Sequence, residues 1–106
     1  MKRRAPTDND RSADALAELA QALAALSDVD DVRAFLEDLC TPAELESMTD
    51  RWKVVPLLAR GIAYREIHDR TQVSVTTIGR VARTLERGAG GYAAALRHRP
   101  EIESVE

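Results

Sequence analysis

The amino-acid sequence predicts an all-α fold, and three observations support that prediction. Four leucines between Leu16 and Leu26 are separated by three, four and three residues, which is the spacing of one helix face. The tetrapeptide TPAE at residues 41–44 is typical of a helix start, because it combines a capping threonine, a proline and a glutamate that completes a capping box. Apolar residues between Tyr64 and Leu85 follow a helical period on either side of a short polar turn.

Two helices are predicted in the first part of the chain. Ser12 is a suitable N-cap for a helix that runs to about Leu26, and Val29 opens a second helix that ends near Leu39. Residues 1–11 are polar and are predicted to form a disordered basic arm, which either contacts a phosphate backbone or stays solvated.

A leucine stripe on the first helix indicates packing against another helix. The chain has 106 residues of which only 4% are aromatic, so its core must be modest and largely aliphatic. Such a chain gains stability by sharing apolar surface with a second copy. We therefore predict packing between the subunits of a homodimer, with packing inside one chain as the alternative. The stripe consists of Leu16, Leu19, Leu23 and Leu26.

The remaining helices are predicted from their start and stop signals. A long helix should run from Pro42 to Arg60 and stop at Gly61, with a kink or break near Pro56 because proline removes a backbone donor. A glycine-rich joint at residues 88–91 should act as a helix C-cap and hinge. A last helix from Tyr92 to His98 should end before Pro100.

The segment from Tyr64 to Leu85 is predicted to pair two short helices, a helix-turn-helix at about residues 64–86. Its buried side is predicted to comprise Ile67, Val73, Ile78, Val81, Ala82 and Leu85, with Val75 at the border. The opposite side of the second helix carries a line that we call the arginine face, namely Thr76, Arg80, Arg83 and Arg87, with Gly79 at its edge. A helix that is apolar on its buried side and basic on its exposed side is suited to bind in the DNA major groove. The alternative is a helical hairpin with a solvated charged face.

Charge is distributed unevenly along the chain, although the net charge is only −3. Residues 1–50 carry five Lys/Arg and twelve Asp/Glu, whereas residues 51–99 carry ten Lys/Arg and three Asp/Glu. Residues 100–106 form a predicted acidic tail. The basic half contains the helix-turn-helix, which favours a polyanionic partner there, and the acidic half argues against diffuse coating of nucleic acid.

Several functional classes are disfavoured by the composition. The single cysteine, Cys40, excludes an internal disulfide and suits a reducing cytoplasm, and no segment is apolar enough for a secretory signal or a membrane span. His68 and His98 lack metal-ligand spacing, and no nucleophile has a recognisable base partner, so catalysis is not predicted. Trp52 and Tyr64 are suited to stacking, with core packing favoured for Trp52.

From residue 39 to residue 96 the chain resembles the tryptophan-repressor superfamily, and in particular its YerC/YecD-type Trp-repressor-related proteins. The matching stretches are LCTPAELESMTDRWKVVPLLARGIAYREI and TTIGRVARTLERGAGGYAAAL. The elements LxTPxE, RG, REI and TIxRV carry the match through their order and spacing. Residues 12–99 are accordingly identified as a Trp-repressor-like helical domain.

The resemblance implies an intertwined helical homodimer whose two helix-turn-helix elements contact successive major grooves of an operator in double-stranded DNA. Arg65 lies at the position of the family's guanine-contacting arginine, and the family's lysine is replaced at His68. Non-glycine Gln72 lies where many such turns have glycine. The resemblance places His68, Val75, Thr76 and Gly79 with Arg65 facing bases, and Thr77, Arg83 and Arg51 facing phosphates.

The resemblance also implies a tentative effector site, because the family's repressor binds an amino acid beside its helix-turn-helix. The matching positions are Thr41, Arg51 and Arg80, with Thr84 in place of a serine. Val81 departs from the repressor, which has glycine there, and valine is expected to crowd an indole ring. We therefore predict no tightly bound cofactor, and either a small-molecule co-repressor other than tryptophan or no effector. Contacts of Arg51 and Arg80 with DNA phosphate are the alternative.

Two functions compete. We predict a sequence-specific DNA-binding transcriptional regulator that acts as a repressor, either with or without a response to an amino acid. The alternative is a helical protein–protein interaction module without a DNA-binding role.

Overall fold

The computed structural model describes residues 8–99, with side chains from residue 11 onward. Over that range the chain is built from α-helices without a β-strand, which confirms the all-α class, and none of those helices is long and apolar enough to cross a membrane. The chain divides into two compact units, residues 1–42 and 43–106. The helices are α1 (Asp8–Ala25), α2 (Val29–Leu39), α3 (Pro42–Ala59), α4 (Tyr64–Thr71), α5 (Val75–Arg87) and α6 (Gly91–His98).

The start of α1 differs from the prediction. The helix begins at Asp8, one turn before the expected N-cap Ser12, so residues 8–11 are helical and not a disordered arm. Neither glycine nor proline separates the two positions, so the backbone contains no signal that would stop the helix there. The rest of the predicted arm, residues 1–7, and the predicted acidic tail, residues 100–106, lie outside the described residues.

The first unit contains α1 and α2 and leaves apolar surface uncovered. Among residues 11–42 no side chain is fully buried, and Leu16 and Val29 are 67% and 78% exposed. The other members of the leucine stripe are half-buried. α2 has its predicted bounds, and Asp30 and Asp31 in its first turn suit the positive end of the helix dipole.

α3 continues through Pro56 without interruption, so the predicted break is absent. The preceding Val54 and Val55 are fully buried, and the following Leu57 and Leu58 pack against the same core. Burial on both sides of the proline offsets the backbone hydrogen bond that proline cannot make. Tertiary packing therefore maintains the helix across a local helix breaker.

Glycines mark the ends of α3 and α5, as predicted, and the start of α6. Gly61 follows α3 with φ of 78°, and Gly90 precedes α6 with φ of 92°, conformations that side chains disfavour. Gly88 caps α5 by donating its backbone N–H to the Thr84 carbonyl at 2.7 Å. α6 begins at Gly91, one residue earlier than predicted.

The core of the second unit brings α3, α4 and α5 together. It confirms four members of the predicted buried side, whereas Ala82 and Leu85 are only half-buried. Trp52 was expected to pack in the core but is 37% exposed, because α3 turns its two buried valines inward instead. The fully buried apolar residues are Val54, Val55, Ile67, Val73, Ile78 and Val81.

Candidate nucleic-acid interface

The turn between α4 and α5 depends on a strained residue. Gln72 has φ of 66° and ψ of 13°, in the left-handed region where glycine is preferred. Its backbone N–H donates to the His68 carbonyl at 2.7 Å, and its side-chain amide donates to the Asp69 carbonyl at 3.2 Å. These hydrogen bonds offset a conformational cost of roughly 1 kcal/mol for a non-glycine residue. The predicted non-glycine turn is therefore confirmed at Gln72.

Side chains of α4 fix the turn further. The Thr71 hydroxyl donates to the Ile67 carbonyl at 2.7 Å and accepts from the Val73 backbone N–H at 3.1 Å. The Nδ1 atom of His68 lies 2.9 Å from the Val73 carbonyl oxygen. Since a carbonyl only accepts, Nδ1 carries the proton in this contact, which leaves Nε2 of the neutral ring as an acceptor. The angle between α4 and α5 is thus held by a network and not by packing alone.

α5 has a capped N-terminus and one buried side. The Ser74 hydroxyl oxygen accepts from the Thr77 backbone N–H at 3.1 Å, which satisfies a donor of the first turn. Ile78 and Val81 are fully buried and pack with Ile67 of α4 and with α3. Val75, at the start of the helix, is 50% exposed. The helix is therefore anchored by one side while its other side faces outward.

The outward side carries cations without acidic partners. All members of the arginine face are exposed, as is Arg65 of α4. Within residues 11–99 the guanidinium groups of Arg65, Arg80, Arg83 and Arg87 form no ion pair and no side-chain hydrogen bond, whereas Arg70 of α4 pairs with Glu66 at 2.7 Å. The unpaired arginines thus leave their charge available to an anionic ligand.

Tyr64, the first residue of α4, divides the outward surface into two hollows. One, which we call the Arg65 hollow, has a volume of about 540 Å³, and the other, which we call the Arg83 hollow, has a volume of about 370 Å³. The sequence indicates that Tyr64 is suited to stacking but does not predict its position between the arginines of α4 and α5, because that position depends on the angle between the two helices. The Arg65 hollow is lined by Tyr64, Arg65, His68, Asp69 and Val75, and the Arg83 hollow by Tyr64, Gly79, Ala82, Arg83, Glu86 and Arg87.

The model of the family described as "Trp repressor protein" matches residues 14–99 of the chain. The chain belongs to the Trp repressor family. The match includes most of α1 and all of α2 to α6, so it extends over most of both units. Membership confirms the resemblance that the sequence stretches from α3 to α6 indicated.

Two relatives agree with this assignment to the Trp repressor family. An uncharacterized protein, YerC of Bacillus subtilis, is 35% identical over 89 residues, which span 84% of this chain and 86% of that protein. The crystal structure of a TrpR-like protein from Eubacterium eligens superposes with a TM-score of 0.77 at 32% identity, covering 93% of this chain and 99% of that chain. The Trp repressor-like fold is therefore shared along nearly the whole length.

The residues that the resemblance implies for a tentative effector site lie in the following surroundings. Val81 is 1% exposed and belongs to the core. The Thr84 hydroxyl donates to the Arg80 carbonyl at 3.1 Å, within α5. The half-buried Arg51 donates to the Ser47 hydroxyl at 3.0 Å, within α3. Thr41 lies in the first unit, at the start of α3.

Proposed function

We propose that this member of the Trp repressor family is a homodimeric, sequence-specific DNA-binding transcriptional regulator that acts as a repressor. α4 and α5 form its helix-turn-helix, and α5 enters the major groove. Family membership supports a regulator over an enzyme.

The observation that carries this proposal is the two-sided character of α5. Its inner side is fully buried at Ile78 and Val81, while Arg80, Arg83 and Arg87 are exposed and unpaired on its outer side within the described residues. A helix anchored in this way presents hydrogen-bond donors and positive charge without moving, as contact with groove edges and phosphates requires.

The dimer is supported by the apolar surface of α1 and α2. No side chain of residues 11–42 is fully buried, although the leucine stripe lies there. A second copy would cover this surface, and its two-fold symmetry would place two helix-turn-helix elements about 34–36 Å apart, one turn of DNA.

The proposed contacts divide into bases and phosphates. Arg65, with His68, Val75, Thr76 and Gly79, faces bases, whereas Thr77, Arg83 and Arg51 face phosphates. Because the Nδ1 atom of His68 is engaged with the Val73 carbonyl, its Nε2 atom is suited to accept from adenine N6 or cytosine N4. The lysine that the family has there only donates, so operator preference should differ at that position.

Selection of bound sequences from a random DNA pool, with and without a mixture of amino acids, tests the function. We expect a palindromic consensus whose binding weakens steeply with salt, because phosphate contacts release counterions. Absence of any salt-dependent DNA binding would favour the alternative, a helical protein–protein interaction module.

Replacing Arg83 by alanine should weaken binding to all DNA sequences by a similar factor. A phosphate contact carries no base information, and its loss should reduce the slope of log K against log salt by roughly one unit per subunit. Fluorescence anisotropy over a salt series measures this slope. Arg33→Ala is the matched control, since Arg33 pairs with Glu37 in the acidic half and its loss should leave the slope unchanged. A sequence-dependent effect of Arg83→Ala would contradict the phosphate role.

We propose that L-tryptophan is not an effector of this protein, and calorimetry with the wild type should detect no binding. Val81 fills the position that is glycine in the repressor, and it does so as a nearly fully buried core residue. Val81→Gly should open the space at a cost of about 3 kcal/mol in stability, from helix propensity and lost burial. Val81→Ala opens less space and is the control. Any increase in the binding of an aromatic amino acid should therefore be larger for Val81→Gly than for Val81→Ala. A micromolar dissociation constant for the wild type would show that valine does not block the indole site.

A further inference from the structure

Tyr64 of α4 and Gly79 of α5 lie close together on the outward side of the proposed helix-turn-helix. A Cβ atom built on Gly79 would lie 3.8 Å from Cε2 of the Tyr64 ring. Gly79 itself is half-buried, although it lies beside the exposed Arg80. The edge of the tyrosine ring from α4 therefore lies within van der Waals distance of the point on α5 at which a side chain of residue 79 would begin.

The exposure of Tyr64 shows that the ring is not a core residue. It remains 42% exposed, and it lines both the Arg65 hollow and the Arg83 hollow. It is flanked by the proposed base-contacting arginine on one side and by the proposed phosphate-contacting arginine on the other. An aromatic ring in this position offers an apolar edge to whatever α5 contacts.

We propose that Tyr64 is a specificity-determining residue that contacts the C5-methyl group of a thymine in the major groove, in place of the side chain that Gly79 lacks. The inference rests on the proposed DNA-binding function. The C5-methyl is the apolar group that the major groove offers, and apolar side-chain atoms recognise it. Glycine at position 79 has no side chain with which to contact a base, and a side chain longer than that of alanine would compete with the ring for the same space.

The test uses the full chain and the operator obtained by selection, with each thymine replaced in turn by deoxyuridine, which removes only the methyl group. At one position per half-site the wild type should lose about fourfold in affinity, the effect of one buried methyl. Tyr64→Ala should bind the thymine and deoxyuridine duplexes equally at that position. Tyr64→Phe, which retains the ring, should discriminate as the wild type does.

Two variants of Gly79 separate this role from a general effect on folding. Alanine fits, because 3.8 Å is an ordinary van der Waals separation, so Gly79→Ala should keep the methyl discrimination. Gly79→Val extends further toward the ring, so it should displace Tyr64 and reduce the discrimination even though the tyrosine is present. Thermal melting of each variant shows that it is folded before binding is measured.

The outcomes that overturn the inference differ from those that overturn the function. If the wild type selects an operator but no thymine methyl affects its affinity, or if Tyr64→Ala retains the discrimination, Tyr64 does not contact a methyl group. If Tyr64→Ala weakens every duplex equally while the discrimination persists, its role is structural or directed at phosphate. If the wild type selects no DNA sequence at all, the proposed function fails together with this inference.

Discussion

Replacing Leu19 and Leu23 together by aspartate should abolish the folded homodimer and give unfolded or aggregated chain. Both leucines are half-buried in a unit whose described residues include no fully buried side chain, so the partner subunit is expected to complete their burial. Each substitution loses roughly 1.5–3 kcal/mol of apolar burial and adds the cost of a desolvated carboxylate, and a dimer contains four of them. The summed loss is as large as the free energy of unfolding of a typical domain, which is about 5–15 kcal/mol.

The matched control places the same two charges on the opposite side of the same helix. Ala17 and Gln21 have the same spacing as the two leucines and are both exposed. Ala17→Asp combined with Gln21→Asp should leave a folded dimer with a small loss of stability from helix propensity. Sedimentation equilibrium and circular dichroism measure both pairs. A folded wild-type monomer at micromolar concentration, or a folded monomer formed by the leucine variant, would contradict the dimer proposal.

Local signals in the sequence were sufficient to predict most helix boundaries. Start and stop signals predicted α2 with its bounds, the end of α3 and the glycine that caps α5, because each depends on residues within a few positions of the boundary. Helical periodicity predicted the two fully buried residues of α5, Ile78 and Val81, whereas Ala82 and Leu85 of the predicted buried side are half-buried. The Ser12 prediction failed because a good capping residue does not by itself stop a helix that can continue.

Features that depend on contacts between helices could not be predicted from local signals in the sequence. Continuity of α3 through Pro56 depends on burial against other helices, which the proline itself does not indicate. The position of Tyr64 over Gly79 depends on the angle at the Gln72 turn. The role of Arg65 was proposed from the family resemblance, and the structure adds that its side chain is exposed and lines a hollow beside His68.

Replacing Arg65 by alanine should weaken binding to the selected operator by about 1–3 kcal/mol and relax base preference at one position in each half-site. Its guanidinium is exposed, has no ion pair among residues 11–99, and lies on α4 next to Tyr64. An arginine in this situation can donate two hydrogen bonds to guanine O6 and N7, a pattern that the other bases do not match. Selection from a random pool with the variant, together with anisotropy on the wild-type operator, measures both effects.

Arg70→Ala is the matched control for Arg65→Ala, because it removes the same charge from the same helix. Arg70 is held by Glu66 through two hydrogen bonds of 3.1 and 2.7 Å, so its contribution to DNA binding should be small and independent of sequence. Arg65→Lys should retain the charge but lose the bidentate geometry, so affinity should recover more than base preference. If Arg65→Ala weakens every sequence equally, as Arg83→Ala is expected to do, then Arg65 contacts phosphate and the base preference of the protein must come from other side chains of α4 and α5.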